Sequence, residues 1–384
     1  MMDSYGLKLP KAVYSGKDAM SKLADVIAGA GATKVALFTD SFLLSSGLTD
    51  EAQQIAADAG CELVTFDSIP PEPAYGVVQE LAEKFKGEGA DLIVAIGGGS
   101  VMDAAKLVSV LATDEYTVKD LLSDPGRARK QVRTLMVPTT AGTGAEATPN
   151  AIVLVPEDDV KIGIVNDALI PEDVILEDTM IKNLPRAIAA STGIDALCHC
   201  IECYTCNKAN PLSDTFALAG LELILANIEA ACDDPEATEA KRAMQLAAFY
   251  GGVAITASGT TAVHGLSYPL GGKYHVAHGV SNAALLVPVM QFNKAAIADR
   301  LAVVYDRCVA GDAQTTDEKA DAVVALLDAL VRHLDIPSTY EGLGIDDVDI
   351  DFLVEAGMKQ QRLLSNNKRE VTEADARAIY EQLL

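Results

Sequence analysis

The chain has 384 residues, 49% hydrophobic and 22% charged, with 30 Lys and Arg against 55 Asp and Glu and a formal net charge of −25. That length suits two domains, and the apolar fraction suits packed cores and excludes a disordered chain. A polyanion is repelled by nucleic acid and by anionic membranes, so neither is an expected partner.

The acidity is spread evenly: 28 acidic against 16 basic residues up to position 186, and 27 against 14 beyond it. It reads as a solubilising surface, not a binding device. The opening MMDSYGLKLP has no basic segment leading into an apolar one, so no export signal is expected and the expected location is the cytoplasm. Seven cysteines (61, 198, 200, 203, 206, 232 and 308) form an odd set without a regular framework, as for reduced thiols inside a cell.

In chain order, residues 34–39 (KVALFT) predict a strand and 51–59 a helix. A strand follows over 61–66 and a helix over 77–85. The apolar run 91–96 (DLIVAI) predicts a buried strand leading into Gly97-Gly98-Gly99-Ser100 and a helix to about Leu111, with another strand over 134–137. Short apolar strands separated by amphipathic helices imply a parallel sheet covered on both faces. Beyond about Pro185 strand signals stop. Helices are expected over 187–207, 211–230 and 237–258, then a site-building stretch over 262–293, then 295–309, 317–333, 347–361 and 372–384. Residues 243–272 carry no Asp, Glu, Lys or Arg, but Gln245, Thr256, Ser258, His264 and several glycines make them too polar for a membrane span. A buried helix lining a site is the better reading. The expected architecture is an α/β dinucleotide-binding, Rossmann-like domain over 1–186 and an all-α domain over 187–384, with ligands in the cleft between them.

Gly97–Ser100 lies between a buried strand and a helix, where glycines let a pyrophosphate approach the backbone and the helix N-terminus supplies N–H donors. It is neither G-x-G-x-x-G, because the last position is Met102, nor a P-loop, because no Gly-Lys-Ser/Thr follows. A tight turn without a ligand is therefore also open. A second loop, Pro138-Thr139-Thr140-Ala141-Gly142-Thr143-Gly144, likewise follows a strand, and two such loops suggest one extended dinucleotide. Asp40, closing the 34–39 strand, either caps the next helix or accepts an adenosine ribose hydroxyl. The second role favours NAD(H) over NADP(H), whose 2′-phosphate a carboxylate repels.

Only five histidines occur, at 199, 264, 275, 278 and 333. Asp195 and His199 are four apart on a predicted helix and share a face. His264-Gly265 and His278-Gly279 bracket a segment able to bend back and complete a site. One carboxylate and three imidazoles suit Fe²⁺, Zn²⁺ or a related first-row ion. Cys200-x2-Cys203-x2-Cys206 offers a rival reading as part of an iron–sulfur ligand run, but small thiols packing a helix suffice to explain it.

Residues 95–106 (AIGGGSVMDAAK), 137–148 (VPTTAGTGAEAT), 192–214 (TGIDALCHCIECYTCNKANPLSD) and 260–283 (TTAVHGLSYPLGGKYHVAHGVSNA) resemble the iron-containing (group III) alcohol dehydrogenase family, over nearly the whole chain. The resemblance implies a nicotinamide cofactor, NAD(H), in the first domain and a divalent ion, Fe²⁺ or Zn²⁺, in the second. By it, Asp195, His199, His264 and His278 would be the metal ligands. Gly98, Gly99, Ser100, Thr139, Thr140, Thr148 and Lys161 would contact the cofactor, with Asp40 near the ribose. The implied reaction is hydride transfer between nicotinamide C4 and a small alcohol or aldehyde whose oxygen the ion holds. The expected assembly is a homodimer or higher homo-oligomer.

Two positions depart from the family pattern. Tyr268 stands where members often carry a proton-relay histidine, and a phenol with an ordinary pKa near ~10 is a poor relay at neutral pH. His275 is a possible substitute. Ala145 replaces the usual serine of the PTTAGTGSE-like loop. Tyr268, Phe249, Val253 and His275 are the expected substrate-pocket residues. Maleylacetate-reductase-like and glycerol- or hydroxy-acid-dehydrogenase activities of the same superfamily stay open, as does a cysteine-based metal or redox module.

Overall fold

In the computed structural model, which describes residues 4–157 and 160–384, the β-branched and aliphatic runs of the N-terminal half pair into a six-stranded parallel sheet and a separate two-stranded antiparallel one. Its elements are β1 (Ala12–Ser15), α1 (Lys22–Ala30), β2 (Lys34–Phe38), α2 (Ser41–Ser45), α3 (Asp50–Asp58), β3 (Glu62–Phe66), α4 (Tyr75–Glu88), β4 (Leu92–Gly97), α5 (Gly99–Leu111), α6 (Val118–Ser123), β5 (Arg133–Pro138), β6 (Asn150–Val155), β7 (Val160–Val165) and β8 (Asp173–Leu176). The sheet order is β1-β8-β5-β4-β2-β3, every neighbouring pair parallel. β4 is buried along its whole length, so its composition is apolar without alternation.

Alternate residues of the strands face opposite helical layers. Val35, Leu37, Leu92, Val94 and Ile96 pack on Leu23, Val26 and Ile27 of α1 and Ala52 and Ala56 of α3. Ala36, Phe38, Ile93 and Ala95 pack on Val78, Leu81 and Phe85 of α4 and Met102 and Leu107 of α5. The chain leaves β2 through α3 on one face and β4 through α5 on the other. The adjacent β2 and β4 therefore form a topological switch point, where open α/β sheets bind ligands at their carboxyl ends.

The strands expected at 34–39, 61–66, 91–96 and 134–137 are present within one or two residues. β1, β8 and the antiparallel β6–β7 hairpin are additional. β1 is a four-residue edge strand alternating between half-buried and exposed positions, and β6 alternates half-buried with buried. β1 lacks the continuous apolar run that identified β4, whereas β6 carries one over 151–155 (AIVLV).

The second unit is helical: α7 (Arg186–Thr205), α8 (Pro211–Asp233), α9 (Thr238–Ala257), α10 (Ala262–Tyr274), α11 (His278–Cys308), α12 (Thr316–His333), α13 (Ile350–Met358), α14 (Gln361–Leu364) and α15 (Glu373–Tyr380). α8 is long and apolar enough to cross a membrane by length and composition alone, and it packs on α7 and α9. The apolar stretch 243–272 is two helices, α9 and α10, bent by 107° at their junction. The break expected near 294 does not occur. α11 runs through Pro288 because Leu286, Val289, Met290, Asn293, Ile297, Leu301 and Val304 keep one buried stripe across the join. The chain divides between Asn183 and Leu184, three residues before the expected boundary. The short segment Ala141–Thr143 and residues 4–7 group with the helices.

Candidate active site

α7 is buried almost without interruption from Gly193 to Thr205, so it carries polar groups inside the helical core. Asp195, His199 and Glu202 recur at i, i+4 and i+7 and share one face. α10 adds His264 and, one turn on, Tyr268. It ends at His275, whose φ of +56° is left-handed. That turn reverses the chain so that α11 begins at His278, with Asn282 one turn later.

One ligand atom from each of Asp195, His199, His264 and His278 lies within 4.8 Å of all the others. Asp195 Oδ1 stands 3.7 Å from His199 Nε2 and 3.5 Å from both His264 Nε2 and His278 Nε2. Four donors about 2.1 Å from a shared first-row cation would stand roughly 3.4 Å apart, so these spacings fit one ion. The surroundings fix which ring nitrogens face inward. His199 Nδ1 lies 3.3 Å from the Gly142 carbonyl, and His264 Nδ1 hydrogen-bonds Glu202 Oε2. In each case Nδ1 takes the proton and Nε2 keeps its lone pair for a cation, the usual outer arrangement of metal-binding histidines.

Glu202 is fully buried. Its Oε1 accepts from Thr261 N at 3.1 Å, Thr261 Oγ1 at 2.6 Å and Val263 N at 2.8 Å, while Oε2 faces His264. It thus ties α7 to the first turn of α10. Gly142 is needed for close approach, since a Cβ there would lie 2.6 Å from Thr192 Cβ and 2.8 Å from its carbonyl oxygen.

Electrostatics agree with a cation site. Burial opposes the Asp195 charge, but His199, His278 and His264 hold its carboxyl well below the usual range. Burial pushes His199 down, leaving it neutral. Burial also works against a charged His264, but Glu202 and Asp195 outweigh it and raise its pKa to about 9. A divalent cation would meet an ionised Asp195 and would take the place of the proton that metal-free His264 carries on Nε2.

The fit has a further sign. Asn282, fully buried, places Nδ2 2.7 Å from Asp195 Oδ1, 3.1 Å from His264 Nε2 and 3.2 Å from His278 Nε2. Its Oδ1 has no hydrogen-bond partner. Tyr268 is buried, its ring 6.0 Å from that of His278, so it lies beside the ligand set. His275 is exposed at the C-cap of α10, although only three residues separate it from His278. Phe249 and Val253 are buried in α9.

The sheet unit carries the other group of expected residues. β4 and β5 end level, Gly97 opposite Pro138, and Thr139 N donates to Gly97 O, so the two loops leave the sheet side by side. A Cβ on Gly97 would lie 2.5 Å from Val101 Cβ, and one on Gly98 would sit 3.5 Å from the Thr140 methyl. Gly98 is the N-cap of α5 and supplies no side-chain cap, which leaves first-turn N–H groups for an anion. Ser100 Oγ accepts from Glu72 N, and the Glu72 carboxylate pairs with Lys161. Buried Lys106 bonds Ala145 O, Thr148 Oγ1 and Asn150 O and pairs with Asp103, fixing the strand-end loop that carries Thr148. Asp40 caps α2, its Oδ1 accepting from Leu43 N at 2.8 Å, at the carboxyl end of β2.

Glu202, Asn282, Lys106 and Glu72 are not among the residues singled out from the sequence. The first two had a usable signal: Glu202 follows Asp195 by seven and His199 by three, and Asn282 follows His278 by four. The cysteines 198, 200, 203 and 206 are buried, and burial pushes the Cys200 thiol up to about 12. Among the described residues the Asp195–His278 set is the one group of three or more candidate ligands that converges, and it contains no cysteine.

The family description "Iron-containing alcohol dehydrogenase" matches residues 10–178, and "Fe-containing alcohol dehydrogenase family, C-terminal" matches residues 189–384. The chain is 32% identical to long-chain-alcohol dehydrogenase 1 of Geobacillus thermodenitrificans, over 97% of this chain and 95% of that one. Its fold superposes on a crystal structure of 1,3-propanediol oxidoreductase with a TM-score of 0.93 at 28% identity, covering all of both chains. It also superposes on a sulfoacetaldehyde reductase from Bifidobacterium kashiwanohense in complex with NAD⁺, with a TM-score of 0.88 at 25% identity, over 100% and 99% of the two chains.

Proposed function

The chain belongs to the iron-containing alcohol dehydrogenase family, and from that premise we propose how its residues interconvert a small alcohol and its aldehyde with NAD(H) and a divalent cation. The observation that carries the reading is the convergence of Asp195, His199, His264 and His278, with Gly142 O and Glu202 fixing two of the tautomers. Asp195, His199, His264 and His278 would hold the ion, with Fe²⁺ the first choice and Zn²⁺ the second for a mixed oxygen and nitrogen set. The first-turn amides of α5 with Gly98, Gly99 and Ser100 would receive the pyrophosphate. Thr139, Thr140 and Thr148 would supply hydroxyls to the cofactor, and Lys161 a charge. Asp40, at the switch point, would accept the ribose hydroxyls with the carboxylate oxygen that does not cap α2.

When bound, the cation supplies Lewis-acid polarisation of the substrate oxygen and the nicotinamide supplies or accepts the hydride. The protein's own residues do the rest. Glu202 and Gly142 O orient the imidazoles, and the buried face of α7 keeps bulk water from the carboxylate of Asp195. Tyr268 stands beside His278 and offers a hydroxyl where family members often use an imidazole. There it would act as a hydrogen-bonding group that positions the substrate. Exposed His275 is left as the candidate for exchanging a proton with solvent. We further propose a cytoplasmic protein that assembles as a homo-oligomer.

The test is a screen of NADH oxidation over small aldehydes, anionic ones included, with the protein metal-loaded and metal-stripped. Turnover that requires the ion supports the reading. Turnover untouched by complete stripping refutes it.

A further inference from the structure

The loop after β3 carries an acid in a conformation that acids seldom adopt. Glu72 stands between Pro71 and Pro73 with a φ of +50°, the left-handed region, which a residue with a Cβ keeps only where its surroundings over-determine it. Three contacts do so. The Glu72 amide donates to Ser100 Oγ at 2.9 Å, in the first turn of α5. The next carbonyl, that of Pro73, accepts from Leu154 N of β6 at 3.1 Å. The Glu72 carboxylate pairs with Lys161, which lies opposite Leu154 in the β6–β7 hairpin. Lys161 is buried, and among the described residues Glu72 is the one acid paired with it, whereas the Glu72 side chain is 34% exposed. A carboxylate is therefore fixed at the carboxyl end of the sheet, beside the Gly97–Ser100 turn. An acid in that place repels an anionic ligand unless a cation cancels its charge, and the same pairing cancels the charge of the lysine.

We propose that Glu72 is a positioning residue that sets how tightly the cofactor is held, by neutralising Lys161 within the loaded site. Lys161 then offers N–H groups without net charge. The pyrophosphate is left to neutral donors: the first-turn amides of α5 and the hydroxyls of Ser100, Thr139 and Thr140. Ser100 fits this role, because the Glu72 amide takes one of its lone pairs and leaves its hydrogen to donate. The consequence is a weaker hold on NADH than a free lysine would give, and a faster release of the spent cofactor. The proposal rests on the reading that this end of the sheet receives NAD(H).

Three variants test it, with NADH affinity and dissociation rate read by fluorescence on the metal-loaded protein at low and high salt. Glu72→Gln keeps the shape and an oxygen for the lysine but leaves the lysine charge uncompensated. It is expected to bind NADH roughly 3–10-fold more tightly, mainly through slower dissociation. That gain should shrink between about 0.01 M and about 1 M salt, as the Debye length falls from ~30 to ~3 Å. Lys161→Gln leaves the acid alone and should weaken NADH by a similar factor. The double variant restores a neutral pair and should return to within about twofold of the wild type. Mere damage to the fold would weaken binding in every variant and could not produce a salt-sensitive gain. Unchanged or weaker NADH binding in Glu72→Gln overturns the proposal. If that variant does not fold, recovery of affinity from Lys161→Gln to the double variant supports the proposal, and no recovery overturns it. A wild-type protein that binds no NADH refutes the cofactor reading instead, which keeps the two failures distinct.

Discussion

Replacing Glu202 by glutamine tests whether the buried carboxylate governs the metal centre through His264. Glu202 Oε1 accepts three hydrogen bonds, two from backbone amides, and Oε2 accepts one from His264 Nδ1. A glutamine has one acceptor oxygen for these two places. With the oxygen toward Thr261 and Val263, the amide N–H₂ meets His264 Nδ1. The ring must then carry its proton on Nε2, pointing at the other ligands. With the oxygen toward His264, an N–H₂ group faces the N–H groups of Thr261 and Val263. Either mismatch costs about 1–3 kcal/mol in a site without water access. Lost outer-shell support of this kind typically weakens metal binding ~10–100-fold, or about 1.4–2.8 kcal/mol. Chelator competition on Glu202→Gln and wild type, with unfolding curves for each metal-free protein, reads both quantities. Metal affinity and metal-free stability both equal to wild type would refute the reasoning.

Other consequences are as direct. Burial raises the Glu146 carboxyl from 4.5 to about 7. A raised acid stabilises the fold below its unfolded pKa and loses that contribution as pH climbs through the folded one. About 3 kcal/mol at most should therefore disappear between pH 4.5 and just above 7, at ~1.36 kcal/mol per unit. Glu146→Gln should flatten that part of the stability–pH curve, and an unchanged slope would contradict the burial argument. Gly142→Ala should cost ~1–3 kcal/mol, because its Cβ runs into the Thr192 backbone. It should also weaken metal binding as the carbonyl withdraws from His199, both seen by calorimetric unfolding with and without metal. Asp40→Gly should cost only a few tenths of a kcal/mol in capping. It should also raise the NADP⁺-to-NAD⁺ ratio of kcat/KM roughly tenfold, as from ~1.4 kcal/mol of relieved repulsion; an unmoved ratio would remove Asp40 from the ribose site.

The convergence of Asp195, His199, His264 and His278 was legible because histidine is scarce in this chain and three of its five stand in uncharged, glycine-rich sequence where a solvated imidazole is out of place. The strand-end loops were legible because buried β4 is an unbroken apolar run ending in glycine. Glu202 was hidden because an acid on a helix ordinarily faces solvent; its role depends on Thr261 and Val263, about sixty residues away in sequence. Asn282 was hidden because asparagine is expected at caps and turns, whereas here it lies inside the second turn of α11. The separate environments of His275 and His278 were not legible from their nearness in sequence: a left-handed residue ends α10 and leaves the His275 ring exposed, while His278 joins the ligand group. The β6–β7 hairpin escaped although 151–155 (AIVLV) is an apolar run, because two neighbouring antiparallel strands stand outside the strand–helix alternation that identified the sheet.

The central claim is that Asp195, His199, His264 and His278 hold one catalytic cation. Its most direct test is metal content per chain in wild type and His264→Ala, measured alongside NADH binding and turnover. The account predicts one divalent first-row ion per wild-type chain. It predicts none in His264→Ala, with aldehyde reduction abolished and NADH binding retained. Full turnover by a wild-type chain shown to contain no metal would contradict it.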